Sequence, residues 1–157
     1  MPEIEFFLKG PISQWHPANF VEDGISYNSA EQYMMAAKAR LFGDDAMAAR
    51  IMACESPYEQ KLMGSSVAGF DEEIWRRERH RIVYRANWLK FSQNSGLAKK
   101  LLRTGDAILA EANPNDVIWA IGLSATDPRA QDPRRWRGEN LLGEILMEIR
   151  TRLAAGD

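Results

Sequence analysis

Helix-capping signals recur along this chain, and they constrain its fold more than any other feature of the sequence. Asn28 and Ser29 each stand three residues before an acid or amide, at Glu31 and Gln32, which is the spacing of a capping box. Gly43 can end that helix in a left-handed turn. Similar signals predict a helix that begins at residues 56–57 and helices over residues 71–91, 97–103 and 141–153.

Short apolar segments predict a smaller β component. The predicted extended segments are residues 4–8, residues 20–27 with a central Asp-Gly hairpin turn, residues 108–112 and residues 117–123. The predicted loops are residues 10–17 and 125–137. A chain of 157 residues can bury one core unaided. We therefore predict a single domain over residues 1–157, mainly α with a minor β component, in the α+β class with an N-terminal β-hairpin and short strands.

Charge and cysteine content exclude several classes of protein. The 20 basic and 22 acidic residues nearly cancel to −2, which argues against a protein that covers nucleic acid with positive charge. Cys54 is the single cysteine and excludes an internal disulfide, while His16 and His80 lack the spacing of a metal site. The sequence shows no secretion signal and no run of membrane-spanning length. We expect a cytoplasmic protein with no metal, no cofactor and no membrane partner.

The first predicted helix places two opposite charges in its apolar stripe. At about 100° per residue, Lys38 lies about 20° from Glu31 around the helix axis, with apolar neighbours on both sides. Gln32, Ala36 and Arg40 occupy the opposite face, so the stripe is the side expected to meet the core. Unpaired buried charges cost several kcal/mol, roughly, so the two groups must find partners, shift their pKa values or line a cavity.

Each of these two charges also has a structural explanation. Glu31 can complete a capping box with Asn28, and Lys38 can extend its ammonium to solvent along its aliphatic stem. Their joint position in one apolar stripe favours an active site. A buried lysine with a lowered pKa can attack a sugar aldehyde, and a neighbouring carboxylate can move the proton.

Asp116 and three tryptophans in turn-rich segments are further candidates. Asp116 fits a turn, or it is a second carboxylate that helps to stabilise an oxocarbenium-like transition state. Trp15, Trp119 and Trp136 either anchor loops or stack on a base or flavin-like ring. Trp75 falls within a predicted helix and is expected in the core.

Polar residues elsewhere have both structural and functional explanations. Asn140 is a natural N-cap for the last helix, and amides freed near it could hold a phosphate. The arginines of residues 76–85 are expected on a solvated helix face. Those of residues 134–137 lie in a predicted loop and are better placed to meet an anionic ligand.

Five sequence blocks, in one order, carry a family resemblance over nearly the whole chain. They are residues 10–15 (Gly-Pro-Ile-Ser-Gln-Trp), residues 27–39, a middle block from residue 75 to 106, residues 116–122 (Asp-Val-Ile-Trp-Ala-Ile-Gly) and residues 136–143 (Trp-Arg-Gly-Glu-Asn-Leu-Leu-Gly). Together they resemble the YbiA-like or NADAR family, named for its association with NAD and ADP-ribose. Three positions depart from the usual family residues, with Gln14 in place of Asn, Ile12 in place of Phe and Ala120 in place of Gly.

The resemblance implies an N-glycosidase. Its substrates would be phosphorylated ribosylamino intermediates of riboflavin synthesis or ADP-ribose attached to guanine, and ADP-ribosylated nucleic acid is a candidate partner. The implied catalytic residues are Glu31, Lys38 and Asp116, with Lys38 as the covalent candidate. The predicted substrate-binding residues are Ser13, Gln14, Trp15, Trp119, Gly122, Trp136, Gly138 and Asn140. The longer amide of Gln14 affects substrate preference more than activity.

Two other functions compete with the enzyme. A nucleotide-binding or sensing module would hold ADP-ribose without turning it over, through the loop tryptophans and the amides near Asn140. A helical interaction domain would use Glu31 and Lys38 as a buried ion pair and show neither binding nor turnover. The enzyme requires Glu31, Lys38 and Asp116 to converge beside a pocket.

Overall fold

The structure, a computed structural model, describes residues 2–156 and confirms the predicted α+β class. It divides into two compact units, one formed by residues 14–94 and the other by the described residues up to 13 and from 95 onward. The single domain over residues 1–157 stays a prediction.

Helices account for most of the regular structure. The strands are β1 (Ile4–Phe7), β2 (Phe20–Glu22), β3 (Ile25–Tyr27) and β4 (Ile108–Glu111). The α-helices are α1 (Ala30–Leu41), α2 (Asp45–Met52), α3 (Pro57–Gly64), α4 (Glu72–Ser92), α5 (Ser95–Leu102) and α6 (Leu141–Ala154), and the loop before α6 contains two short 3₁₀ turns at Pro128–Gln131 and Pro133–Arg135.

In the unit of residues 14–94, α1 lies against α2, α3 and α4. This packing buries Gln32 and Ala36, so the prediction that they face away from the core is wrong. The reason is α2, which the sequence analysis missed and which covers that side. Gln32 Nε2 donates to the carbonyls of Ile51 and Cys54, both at 3.2 Å. A polar side chain on α1 therefore satisfies the backbone at the end of α2.

The predicted hairpin and the predicted start of α4 are both confirmed. β2 and β3 are antiparallel, and Asp23 and Gly24 both have positive φ, at 51° and 78°, as a two-residue hairpin turn requires. Asp71 caps α4 by accepting from the N–H groups of Glu73 and Ile74. One arginine of this helix contradicts the predicted solvated face, because Arg79 is only 6% exposed.

In the other unit, β1 pairs in parallel with β4, and α6 packs on β4. The segment of residues 117–123, predicted to be extended, instead forms bends. It bends because its carbonyls accept N–H groups from residues 137–142 rather than from a neighbouring strand. The buried residues Ala110, Ile121 and Leu123 belong to a small apolar cluster in this unit.

Two glycines allow backbone segments of this unit to approach one another closely. A Cβ on Gly138 would lie 2.2 Å from the carbonyl oxygen of Ala120, and a Cβ on Gly143 would lie 2.1 Å from that of Leu109. Both partners are backbone atoms, which cannot rotate away. Any side chain at either position must therefore push the two backbone segments apart.

We predict opposite effects for alanine at two helical glycines. Gly143→Ala should lower the free energy of unfolding by at least about 2 kcal/mol, because the new methyl group overlaps the backbone of β4. Gly96→Ala is the matched control in α5, where a Cβ meets no atom within 4 Å. It should raise the free energy of unfolding by about 0.5 kcal/mol. Urea unfolding measures both, and equal effects would contradict the close packing of α6 on β4.

Candidate active site

Glu31 lies at the buried start of α1 and is only 3% exposed. It does not complete a capping box with Asn28, which was the structural alternative to a catalytic role. Ser29 is the N-cap and accepts from the N–H of Gln32 at 3.0 Å, while Gln32 Oε1 accepts from the N–H of Asn28 at 2.8 Å. The side-chain bonds at this helix start therefore come from Ser29 and Gln32. Both the catalytic role of Glu31 and its alternative, a buried ion pair with Lys38, stay predictions.

The first turn of α1 is completed by Gln14, which lies before the β2–β3 hairpin. The N–H of Glu31 has no acceptor inside the helix, and it donates to the carbonyl of Gln14 at 3.0 Å. Gln14, predicted to bind substrate, thus holds the backbone of the candidate catalytic carboxylate.

Lys38 lies further along α1, half-buried against two aromatic rings. Its Nζ is 4.8 Å from the centre of the Phe70 ring and 5.5 Å from that of Trp75. Burial lowers the pKa of Lys38 below its ordinary value, and the carboxylates of Glu31 and Glu72 offset only part of this effect. The desolvated amine is therefore closer to its neutral, nucleophilic form than a surface lysine is.

Trp15 presents its ring to solvent, at 42% exposure. The ring meets Tyr58 edge to face, with centroids 6.3 Å apart, and Lys61 Nζ lies 5.9 Å from its centre. An exposed aromatic face beside a cation can stack on a planar, electron-rich base. The preceding Ser13 is buried, and its N–H donates to the carbonyl of Gly10 at 2.9 Å.

Asp116 belongs to the other unit, where it organises a turn. Its Oδ1 accepts from the N–H groups of Ile118 and Trp119, both at 2.9 Å. This is the turn role that the sequence also allowed. Trp119 is half-buried. A catalytic role for Asp116 and a stacking role for Trp119 stay predictions.

Asn140 does not cap α6 as predicted, because its side chain makes no cap hydrogen bond. It is buried, and its Oδ1 accepts from the N–H of Glu111 while its Nδ2 donates to the carbonyl of Leu109 at 2.9 Å. The N–H groups of residues 139–142 donate to the carbonyls of residues 117–120. The N–H groups of residues 139–142 are therefore occupied by backbone acceptors, and a role for Asn140 in substrate binding stays a prediction.

The other predicted contacts in this unit have structural partners of their own. Trp136 Nε1 donates to the carbonyl of Ala130 at 2.9 Å, and its ring packs on the apolar cluster. Gly122 has a positive φ of 72°, and Gly138 allows the close backbone approach described above. Their roles in substrate binding stay predictions.

Two further kinds of site concern residues 2–156. No group of three or more His, Cys, Asp or Glu side chains among them is arranged to hold a metal ion. None of the helices in this range combines the length and apolarity that crossing a bilayer demands.

Comparison with known proteins shows the family. The NADAR domain model matches residues 6–154. The N-glycosidase R617 of Acanthamoeba polyphaga mimivirus is 46% identical over 144 residues, which are 88% of this chain and 85% of that protein. The N-glycosidase YbiA of Shigella flexneri serotype 5b is 30% identical over 145 residues, covering 92% of this chain and 82% of that one. The NMR structure of the Escherichia coli protein YbiA superimposes with a TM-score of 0.81 at 27% identity, covering 99% of this chain and 87% of that one.

The chain belongs to the NADAR domain family. The resemblance found in the sequence is thereby confirmed. Residues 136–143 are the closing block of this NADAR chain, and they join α6 to β4. Asn140 bonds to the backbone of β4, and Gly143 allows α6 to approach it closely.

The sequence analysis missed several polar and aromatic residues around the candidate site. Phe70 and Trp75 flank Lys38, although Trp75 was expected only as a core residue. Asn87 is fully buried on α4 and bonds to Gln14. Lys90 is fully buried, and burial lowers its pKa to about 7. The one sequence signal for these buried residues was their spacing, since Asn87 and Lys90 lie about one turn apart on a predicted helix.

Asn140→Ala should destabilise the protein. The substitution removes the side-chain acceptor of the part-buried Glu111 N–H and the side-chain donor to the buried carbonyl of Leu109, so we expect a loss of about 3 kcal/mol in the free energy of unfolding. The control is Asn115→Ala, an exposed asparagine, which should change it by less than about 0.5 kcal/mol. Urea unfolding distinguishes them, and an unchanged stability in Asn140→Ala would contradict the bonds to β4.

Proposed function

We propose that this chain cleaves the N-glycosidic bond of a riboside or ADP-ribosyl substrate, with Glu31 as the proton-transfer group and Lys38 as the nucleophile. It is an N-glycosidase, a hydrolase that acts on N-glycosyl bonds; this activity class rests on the NADAR model over residues 6–154 and on relatives named N-glycosidase. The site residues and the finer substrate are the proposal.

The observation that carries the proposed site is the environment of Lys38. Its amine is half-buried against Phe70 and Trp75, and desolvation lowers its pKa. A surface lysine has a pKa near 10.4, so almost none of it is neutral at pH 7, and a lowered pKa raises that fraction. Glu31 is on the same helix, close enough for its charge to act on Lys38.

The proposed reaction has two stages. Neutral Lys38 Nζ attacks the anomeric carbon, the bond from that carbon to the base nitrogen breaks, and the base leaves with the electron pair and a proton from protonated Glu31. Lys38 Nζ passes one proton to the Glu31 carboxylate, which delivers it to the ring oxygen as the sugar ring opens, giving a protonated Schiff base. Water then adds to the imine carbon and gives up one proton to Glu31, and loss of the amine returns the free sugar, the neutral lysine and protonated Glu31.

Two substrate groups suit the proposed site. A ribosylaminopyrimidine phosphate and an ADP-ribosylated guanine both offer a planar base joined to ribose through nitrogen. The exposed Trp15 ring, with Lys61 beside it, is suited to stack on such a base. A binding or sensing module would retain the stacking but not release the base. Base release measured by chromatography therefore distinguishes an enzyme from a binding module.

Glu31→Gln should abolish base release and leave a cooperatively folded protein. Glutamine keeps the shape of the side chain but cannot transfer the proton, and such groups contribute about 10²–10⁴-fold to rate. The assay follows base release from both substrates. Glu73→Gln, an exposed carboxylate in the first turn of α4, is the matched control and should turn over normally. Near-normal turnover by Glu31→Gln would remove Glu31 from the chemistry.

Lys38 should be trapped as a reduced sugar adduct. Cyanoborohydride added during turnover reduces a Schiff base to a stable secondary amine, which peptide mapping by mass spectrometry should locate at Lys38. Lys38→Met should lose both adduct and activity, whereas Lys100→Met, at an exposed lysine, should keep both. Because the neutral amine is required and its pKa is lowered, the rate should rise with pH over a lower range than for an ordinary lysine. A Lys38→Met enzyme of comparable activity would leave a water-attack mechanism.

A further inference from the structure

Gln14 uses its backbone and its side chain to connect two helices. Its carbonyl accepts from the N–H of Glu31 at the start of α1, and its Oε1 accepts from Asn87 Nδ2 at 2.7 Å. Asn87 lies in the middle of α4, where its Nδ2 also donates to the carbonyl of Val83 at 2.9 Å. Two hydrogen bonds, one to the side chain of Gln14 and one to its carbonyl, therefore connect α4 to the backbone of Glu31.

This pair of amides carries a cost that folding alone does not explain. Gln14 is 9% exposed and Asn87 is 0% exposed. Gln14 Nε2 and Asn87 Oδ1 are buried and have no hydrogen-bond partner among the described residues. Each unsatisfied buried polar atom lowers the stability of the fold, whereas an apolar pair of the same shape would have no such cost. A polar pair kept at such a cost indicates a functional requirement.

We propose that Asn87 is a positioning residue for the N-glycosidase reaction, which acts through Gln14 to fix the first turn of α1. This inference rests on the proposed role of Glu31. Asn87 holds the Gln14 side chain, and the Gln14 carbonyl holds the N–H of Glu31, so the backbone of the carboxylate is tied to α4. Because a misplacement of 1 Å can cost about 10²-fold in rate, losing this connection should affect the chemical step more than substrate binding.

The length of the two side chains provides a specific test. The distance from the Gln14 backbone to α4 is set by the combined length of the Gln14 and Asn87 side chains. Gln14→Asn shortens one partner by a methylene group and should break the 2.7 Å bond to Asn87. Asn87→Gln lengthens the other partner by the same amount. The double variant Gln14→Asn/Asn87→Gln should therefore recover much of the activity that Gln14→Asn loses.

An apolar replacement separates positioning from stability. Gln14→Met/Asn87→Leu removes both amides and leaves no unpaired polar atom in the pair, so we expect a free energy of unfolding no lower than that of the unmodified chain. We expect kcat to fall about 10- to 100-fold, with KM changed less than about threefold. A purely structural role would leave kcat unchanged once stability is retained.

Asn94 supplies the matched control. Its Nδ2 also ties a loop to α4, donating to the carbonyls of Asn19 and Lys90, but it does not contact Gln14. Asn94→Leu should lower the unfolding free energy and leave kcat and KM unchanged. A loss of kcat in Asn94→Leu equal to that of the apolar pair would overturn the inference, because general loosening of α4 would then explain both.

The remaining outcomes are distinguishable. If Glu31→Gln is active, the proposed site fails whatever Asn87 does. If Glu31→Gln is inactive while Gln14→Met/Asn87→Leu has normal kcat, only the positioning inference is overturned. A raised KM at normal kcat would also overturn it, because Gln14 would then act as a direct substrate contact. If the apolar pair does not fold, recovery of kcat by Gln14→Asn/Asn87→Gln supports the inference, and failure to recover contradicts it.

Discussion

The buried start of α1 is the constraint on which the unit of residues 14–94 depends. A helix N-terminus has N–H groups without partners inside the helix, and water is excluded here, so other residues must provide the acceptors. Ser29 Oγ accepts from Gln32, the carbonyl of Gln14 accepts from Glu31, and Gln32 Oε1 accepts from Asn28. Each of these three bonds joins α1 to a residue that precedes it, so the positions of Gln14, Asn28 and Ser29 are fixed relative to the helix. A carboxylate can occupy this site because the capping is done by its neighbours.

Local signals predicted most of the elements, and tertiary contacts decided the rest. The hairpin at Asp23-Gly24 and the start of α4 at Asp71 depend on conformational preferences of a few residues, so the sequence alone predicts them. The choice between Glu31 and Gln32 as the box partner depends on what packs against each face of α1. That information lies in α2, whose carbonyls Gln32 satisfies, and no local pattern contains it.

The candidate site was predictable to a similar degree. Helical spacing placed Glu31 and Lys38 on one side of α1, but it could not show which aromatic rings meet the lysine. Phe70 lies in the turn before α4 and Trp75 in its first turns, far from Lys38 in sequence. Prediction from the sequence fails for a different reason in the closing block, residues 136–143. Asn140 matches a helix-cap pattern, yet its amide pairs with β4 like an additional strand residue, a geometry that depends on the parallel β1–β4 pair beside α6.

The environment of Lys38 contains two opposed physical effects, and their balance bears on its chemistry. Desolvation favours the neutral amine, whereas the faces of Phe70 and Trp75 and the charge of Glu31 favour the ammonium. Half-burial keeps desolvation moderate, so neither form is excluded. The proposed reaction begins and ends with the neutral amine, which desolvation makes more accessible at Lys38 than at a surface lysine. This environment suits Lys38 to the role proposed for it.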